Sequence, residues 1–313
     1  MTFQNDALVS VWMITFNHEK YISLALDSIL MQKTTFKFEI IVGEDCSTDE
    51  TRNILKEYEK KYPRIIKPIY HNKNVGAMIN AYIHCLPKLQ GKYIACLEGD
   101  DYWTDAYKLQ KQVDFLEAHP DYALVYTDKK IRINEDEIPD EEFKSLDGFI
   151  IEELIFSNFI TTASVLVRTD IYKTSIESII SHIIEKNWLM LDYPGWLKIA
   201  LKYKIGYIND ITCAYRILSD STSHSTNSLK RYLFDKNIVE IKEFFYKQYI
   251  NSGVNVSAKF RRQFKEMIFH LRKRMLLDFR WIAKDQIIPL LSTNPLFYFY
   301  LISRKIARTI RKG

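Results

Sequence analysis

The stretch GKYIACLEGDDYW, residues 91–103, sets an apolar run, Tyr93-Ile94-Ala95-Cys96-Leu97, directly against Glu98, Asp100 and Asp101. Such a run has the continuity of a strand buried on both faces. Three carboxylates in four positions repel one another, and each costs on the order of a few kcal/mol to desolvate unpaired. Either water or a cation must therefore meet the end of this strand.

Working outward, apolar runs begin near Val9 (VSVWMI), Phe38 (FEIIVG), Ile65 (IIKPIY) and Tyr93, at intervals of 29, 27 and 28 residues. That spacing predicts βαβ units. Between the first two runs, Ile22, Ala25, Leu26, Ile29 and Leu30 recur at helical spacing behind Asn17, the predicted N-cap. A second helix is expected from Ser47-Thr48-Asp49-Glu50, where Ser47 and Glu50 stand at capping-box spacing, to a stop before Pro63. A third is expected from Ala77 to Leu86, ahead of Pro87. Alternating strands and helices predict an α/β fold, a mostly parallel sheet flanked by helices, and such sheets bind ligands at the carboxyl ends of their strands. Thr15-Phe16-Asn17, Glu44-Asp45 and Glu98 to Asp101 all fall at those ends. Any one cluster alone reads as a turn; three on one edge read as a site.

Further along, the charged stretch 129–147 reads as a solvated loop, TTASVLVR (161–168) as a strand, and residues 187–208 as a helix leading into a strand. From 230 onward the pattern is helical and basic. The expected organisation is a first domain over 1–229 and a C-terminal region over 230–313.

With 47% hydrophobic and 14% aromatic residues in 313, the chain is long enough to bury a large core, which excludes a disordered protein. No apolar stretch reaches the roughly 18 residues that would span a bilayer. The start, MTFQNDALVSVWMITFN, has neither a basic n-region nor a small-residue cleavage site, so the expectation is cytoplasmic residence. Cys46, Cys85, Cys96 and Cys213 show no metal-ligand spacing and read as reduced core thiols.

Taken in order, VSVWMITFNHEKYISLALDSILMQ, FEIIVGEDCSTDET, NKNVGAMINA, GKYIACLEGDDYW, LDYPGWLKIALKYKIGYI and AYR resemble family 2 inverting glycosyltransferases of the GT-A fold. The resemblance covers roughly residues 8 to 225. It implies transfer of a sugar from a nucleotide sugar, UDP-linked, to a hydroxyl of a saccharide or lipid-linked acceptor in bacterial surface polysaccharide synthesis. It also implies a nucleotide site at Thr15, Phe16, Asn17, Glu44, Asp45, Asn74, Gly76 and Asp100, with Phe16 packing on the base and Asp45 accepting from the uracil N–H. Asp100, Asp101 and Glu98 stand where the family's DxD segment holds a divalent cation, Mn²⁺ or Mg²⁺. Physical chemistry agrees, since hard oxygen ligands suit those ions and the cation neutralises both the clustered carboxylates and a leaving diphosphate. Asp192, in LMLDYPGWLK, stands where the family places its general base, and the same residue reads as a helix N-cap. His224, in the polar loop SDSTSHS, is a candidate for diphosphate contact. Glu98 and Glu44 occupy positions where Asp is common, and Cys46 one where Gly is common.

Two rival readings stand beside this one. A sugar nucleotidyltransferase wants a Gly-rich loop after the first strand, and MITFNHEKY has no glycine. A non-catalytic nucleotide-sugar-binding or scaffold protein would not need Asp45, Asp100, Asp101 and Asp192 together. Residues 230–313 hold 19 Lys and Arg against 6 Asp and Glu, a net +13, which leaves −8 for the rest. Phe244, Phe245 and Tyr246 are spaced as a helix core, so no nucleic-acid partner is expected. The end, NPLFYFYLISRKIARTIRKG, suits an anionic membrane surface, and hence a peripheral location at the inner face of the cell membrane.

Overall fold

The computed structural model describes residues 6–133, 136–138, 146–190, 192–218 and 227–279, with side chains to Met275. His224 and the segment 294–313 lie outside the described residues.

The four apolar runs form β1 (Val9–Thr15), β2 (Phe38–Glu44), β3 (Ile66–Tyr70) and β4 (Tyr93–Cys96). They alternate with α1 (Ile22–Leu30), α2 (Thr51–Lys61) and a π-helix (Ile79–Cys85) that passes into a 3₁₀ turn at Leu86–Lys88. After β5 (Tyr102–Trp103) come α3 (Lys108–Ala118), β6 (Tyr122–Ile133), β7 (Asp136–Ile138) and α4 (Ile151–Phe156). A 3₁₀ turn (Thr162–Ser164), β8 (Leu166–Arg168), α5 (Thr169–Glu177), α6 (Ile180–Lys186), α7 (Tyr193–Ala200), β9 (Lys204–Ile217), α8 (Ser228–Ile250) and α9 (Ala258–Phe279) complete the order.

Among the described residues the strands make one sheet in the order β3-β2-β1-β4-β8-β6-β9-β5, with β7 paired to β6. β3, β2, β1 and β4 run parallel, and β8 enters antiparallel to β4. Val9, Val11 and Met13 of β1 and Ile40 and Val42 of β2 are buried against Ile22, Ala25, Leu26 and Ile29 of α1. α1 has no side-chain cap, so this face is what holds it. Burying each Ile or Leu contributes about 1.5–3 kcal/mol, so the face together outweighs a missing cap worth about 1 kcal/mol.

Local signals were overridden where side chains found distant partners. Asn17 has φ 56° and its Oδ1 accepts from Thr48 N at 2.8 Å, so α1 begins only at Ile22. Ser47 Oγ accepts from Asn17 N at 3.0 Å instead of closing a capping box, and α2 begins at Thr51, whose N–H Asp49 accepts. Only Leu166–Arg168 of the expected 161–168 strand pairs into the sheet, because Thr162–Ser164 turns. The charged stretch expected to be a loop instead continues β6 to Ile133 and pairs it with β7, Arg132 opposite Glu137.

The chain divides into two compact units, Met1–Leu218 with Ile241–Val256, and Ser219–Glu240 with Ser257–Gly313. The division differs from a cut at 229 in that residues 219–229 fall in the second unit and residues 241–256 in the first. There Lys242 Nζ donates to the carbonyls of Ile155 and Phe156 at the end of α4, and burial lowers its pKa to about 7. Phe244 and Phe245 pack on Trp188. In the second unit Phe260, Phe264 and Ile268 form the buried stripe of α9, and Asp235 pairs with Arg274. No helix among the described residues is long and apolar enough to cross a membrane.

Candidate active site

Parallel register brings the strand ends together: Thr15 lies opposite Glu44, and Trp12 opposite Cys96. Leaving β1, Phe16 stands 40% exposed beside buried Thr15. Asn17, His18 and Glu19 hydrogen-bond to Ser47, Thr51 and Asp49, which locks the loop after β1 to the loop after β2.

Glu44 is wholly buried, accepts from Ser47 N at 2.6 Å and pairs with Arg52. Asp45, also buried, accepts from Val75 N at 2.8 Å and Gly76 N at 2.9 Å. Its carboxylate thus clamps the 74–76 loop, where Asn74 is exposed and Gly76 takes φ 85°, a conformation open to glycine. The π-helix beyond is tied back by Asn80, which donates to Gly43 O at 2.9 Å and meets His71 Nε2 at 3.0 Å. Cys46 sits at φ 59°, which is the physical reason for a glycine preference at that position.

The carboxylate segment runs along β1, with Leu97 N donating to Trp12 O and Gly99 N to Ile14 O. A Cβ on Gly99 would lie 2.7 Å from both His18 Nδ1 and Thr15 Oγ1, so only glycine lets the segment approach. Glu98 is half-buried; desolvation first, then the charges of Asp100 and Asp192, raise its pKa to about 8. Asp101 is buried and raised well above the carboxylate range, chiefly by desolvation. Its Oδ1 accepts from Arg216 N at 2.8 Å, while the Arg216 guanidinium donates to Asp100 O and lies over Tyr102 and Tyr21. Asp100 Oδ1 is buried and accepts no hydrogen bond among the described residues. No group of three His, Cys, Asp or Glu side chains forms a ready metal cage among them either. One orphaned carboxylate oxygen beside a second carboxylate fits the oxygen chemistry that a hard cation needs.

Asp192 caps α7: its Oδ1 accepts from Tyr193 N at 2.7 Å, and Pro194 stands in the first turn. Its Oδ2 accepts from Thr162 Oγ1 at 2.7 Å. Burial raises its pKa, and the Thr162 and Tyr193 hydrogen bonds oppose the rise. The charge of Asp192 adds to the raised pKa of Glu98.

Sequence reasoning missed Thr162, Lys108 and the backbone of Arg216. Lys108 is fully buried, donates to Gln112 Oε1 at 2.6 Å and sits over Trp103, and desolvation lowers its pKa to about 8. Its place in a basic-and-polar helix start gave no signal of burial.

A family model described as glycosyl transferase family 2 matches residues 10–173. An uncharacterized protein of Mycobacterium tuberculosis is 33% identical over 226 residues, covering 71% of this chain and 62% of that protein. This chain therefore spans less than two thirds of that relative's length. The Escherichia coli UDP-Glc:alpha-D-GlcNAc-diphosphoundecaprenol beta-1,3-glucosyltransferase WfaP is 27% identical over 237 residues, 74% of this chain and 86% of that protein. Among solved structures, Staphylococcus aureus TarS 1–349 in complex with UDP-GlcNAc superposes with a TM-score of 0.54 at 18% identity, over 84% of this chain and 80% of that one. That likeness is one of fold.

Proposed function

The chain belongs to glycosyl transferase family 2, and from that premise we propose that it transfers a sugar, with inversion, from a UDP-sugar to a hydroxyl of a saccharide or lipid-linked acceptor in bacterial surface polysaccharide synthesis. The observation that carries this reading is Asp192, a carboxyl fixed at both oxygens, together with a carboxylate segment in which Asp100 Oδ1 is buried and accepts no hydrogen bond among the described residues. Phe16 offers its exposed ring to the base. Asp45, by clamping Val75 and Gly76, shapes the loop against which uracil sits, and each of its oxygens keeps a second lone pair for the uracil N–H. Thr15, Asn17, Glu44, Asn74 and Gly76 complete the nucleotide pocket. Asp100, Glu98 and Asp101 would hold Mn²⁺ or Mg²⁺, which when bound offsets their repulsion and the charge of the leaving diphosphate. Asp192 takes the proton of the acceptor hydroxyl as that oxygen attacks the anomeric carbon opposite the leaving group. WfaP, named for a UDP-Glc donor and a diphosphoundecaprenol acceptor, and TarS, named with UDP-GlcNAc, support the donor class by analogy.

The location that goes with this chemistry is the inner face of the cell membrane. On α9, Arg262, Lys265, Phe269, Arg272 and Lys273 are exposed at helical spacing, with Phe269 65% exposed. Basic side chains around an aromatic one complement an anionic lipid surface.

Release of nucleoside diphosphate from UDP-Glc, UDP-GlcNAc and GDP-Man, with Mn²⁺ and with chelator, tests the reading. Turnover should favour a UDP-sugar and require the ion. Asp192→Asn should cut turnover by roughly 10²–10⁴ while calorimetric UDP affinity stays nearly unchanged. Binding without any turnover would instead support the non-catalytic alternative.

A further inference from the structure

The 3₁₀ turn Thr162–Ser164 is held by an unusual amount of buried polar chemistry. Trp103 Nε1 donates to Ala163 O at 2.9 Å, and Gln112 Nε2 donates to Ser164 O at 2.7 Å. Gln112 is in turn fixed by Lys108 Nζ at 2.6 Å, and Lys108 lies 4.5 Å from the Trp103 ring centroid. Ser164 Oγ closes the turn on Thr161 O at 2.7 Å. Trp103, Lys108, Gln112, Ala163 and Ser164 are all at most 1% exposed. Burying an ammonium and an amide is costly, and apolar residues of similar volume would fill the same space. What the polar set achieves is a turn whose carbonyls are taken by rigid donors from α3 and β5, and this turn presents the Thr162 hydroxyl to Asp192 Oδ2 at 2.7 Å.

We propose that Thr162 is a positioning residue: the pinned turn orients the Asp192 carboxylate for proton abstraction, and Trp103, two residues after Asp101, ties that orientation to the carboxylate segment 98–101. The inference rests on Asp192 being the base. With Oδ1 on Tyr193 N and Oδ2 on Thr162, the carboxylate plane is set, and its remaining lone pairs face a fixed direction. Orientation of this kind acts on the chemical step rather than on donor binding. Valine keeps the shape of threonine and removes only the hydroxyl's bond.

The test uses the full chain, with water as acceptor and, as donor, whichever of UDP-Glc, UDP-GlcNAc and GDP-Man it turns over fastest. Thr162→Val should lower kcat at least about tenfold, the scale of a lost hydrogen bond to a charged group, with donor KM within about twofold. Thr162→Ser should restore most of kcat. In an Asp192→Asn background, Thr162→Val should cause no further loss, because its partner is already changed. If Thr162→Val does not fold, Thr162→Ala makes the same comparison. A kcat within about twofold of wild type, or an undiminished loss in the Asp192→Asn background, overturns the positioning role. Wild-type kcat in Asp192→Asn alone overturns the base reading itself, and the two failures are thereby distinguished.

Discussion

Asp192 combines a structural task, capping α7, with a carboxyl raised in pKa by burial. Its charge adds to the raised pKa values of Glu98, Tyr82, Cys96, Tyr172 and Tyr193. A base works deprotonated, so activity falls as pH drops through the raised pKa. The pH profile of kcat at saturating donor should therefore show an acid limb above the usual aspartate value of about 4, and Asp192→Asn should abolish that limb. A limb at the ordinary value would count against Asp192. Cys46 makes a second prediction at this scale. Its φ of 59° costs a side-chain-bearing residue about 1–2 kcal/mol, partly offset by the entropy glycine loses on folding. Cys46→Gly should raise stability by about 1 kcal/mol, read from the urea midpoint at unchanged slope.

At the level of elements, strand starts were legible because period and continuity report burial directly: Val9, Phe38 and Tyr93 begin their strands where the apolar runs begin. Caps were not, since Asn17 and Ser47 could cap or could bridge, and bridging between two loops satisfies both chains at once. α3 shows the same limit, because Lys108 at its first turn looks solvated and is buried. Its folded pKa of about 8 lies below the model-peptide value of 10.5, so across that window the unfolded chain binds more protons and stability rises with pH. Lys108→Met removes this dependence. The stability of wild type minus that of the variant should thus increase between about pH 8 and 10, by up to about 3 kcal/mol if the whole shift is realised. A flat difference in denaturant titrations would mean that the ammonium is not desolvated.

Across the whole molecule, charge is partitioned: +13 on residues 230–313 and −8 on the remainder. Each basic side chain near an anionic leaflet adds about 1 kcal/mol, an attraction that salt screens. The protein should sediment with phosphatidylglycerol vesicles at low salt and much less so at high salt. Replacing Lys265, Phe269 and Lys273 together by serine should weaken that sedimentation without changing donor turnover in solution. A protein that ignores these vesicles at low salt would remove the membrane reading and leave the transferase reading intact.

Sequence alone determined the succession of the first four strands and the helices between them, the edge at which Thr15 to Asn17, Glu44-Asp45 and Glu98 to Asp101 gather, and the cap position of Asp192. These follow from local periodicity and from the rule that parallel strands end together. Only the tertiary structure decided what each polar group does there. Asp45 holds a loop 30 residues on, Asp101 meets a backbone amide 115 residues on, and Trp103 bonds a carbonyl 60 residues on, beneath Thr162. Hydrogen bonds across such separations leave no period in the chain, because a carboxylate, an indole N–H or a hydroxyl can bond water equally well until the fold removes the water and leaves one partner within reach.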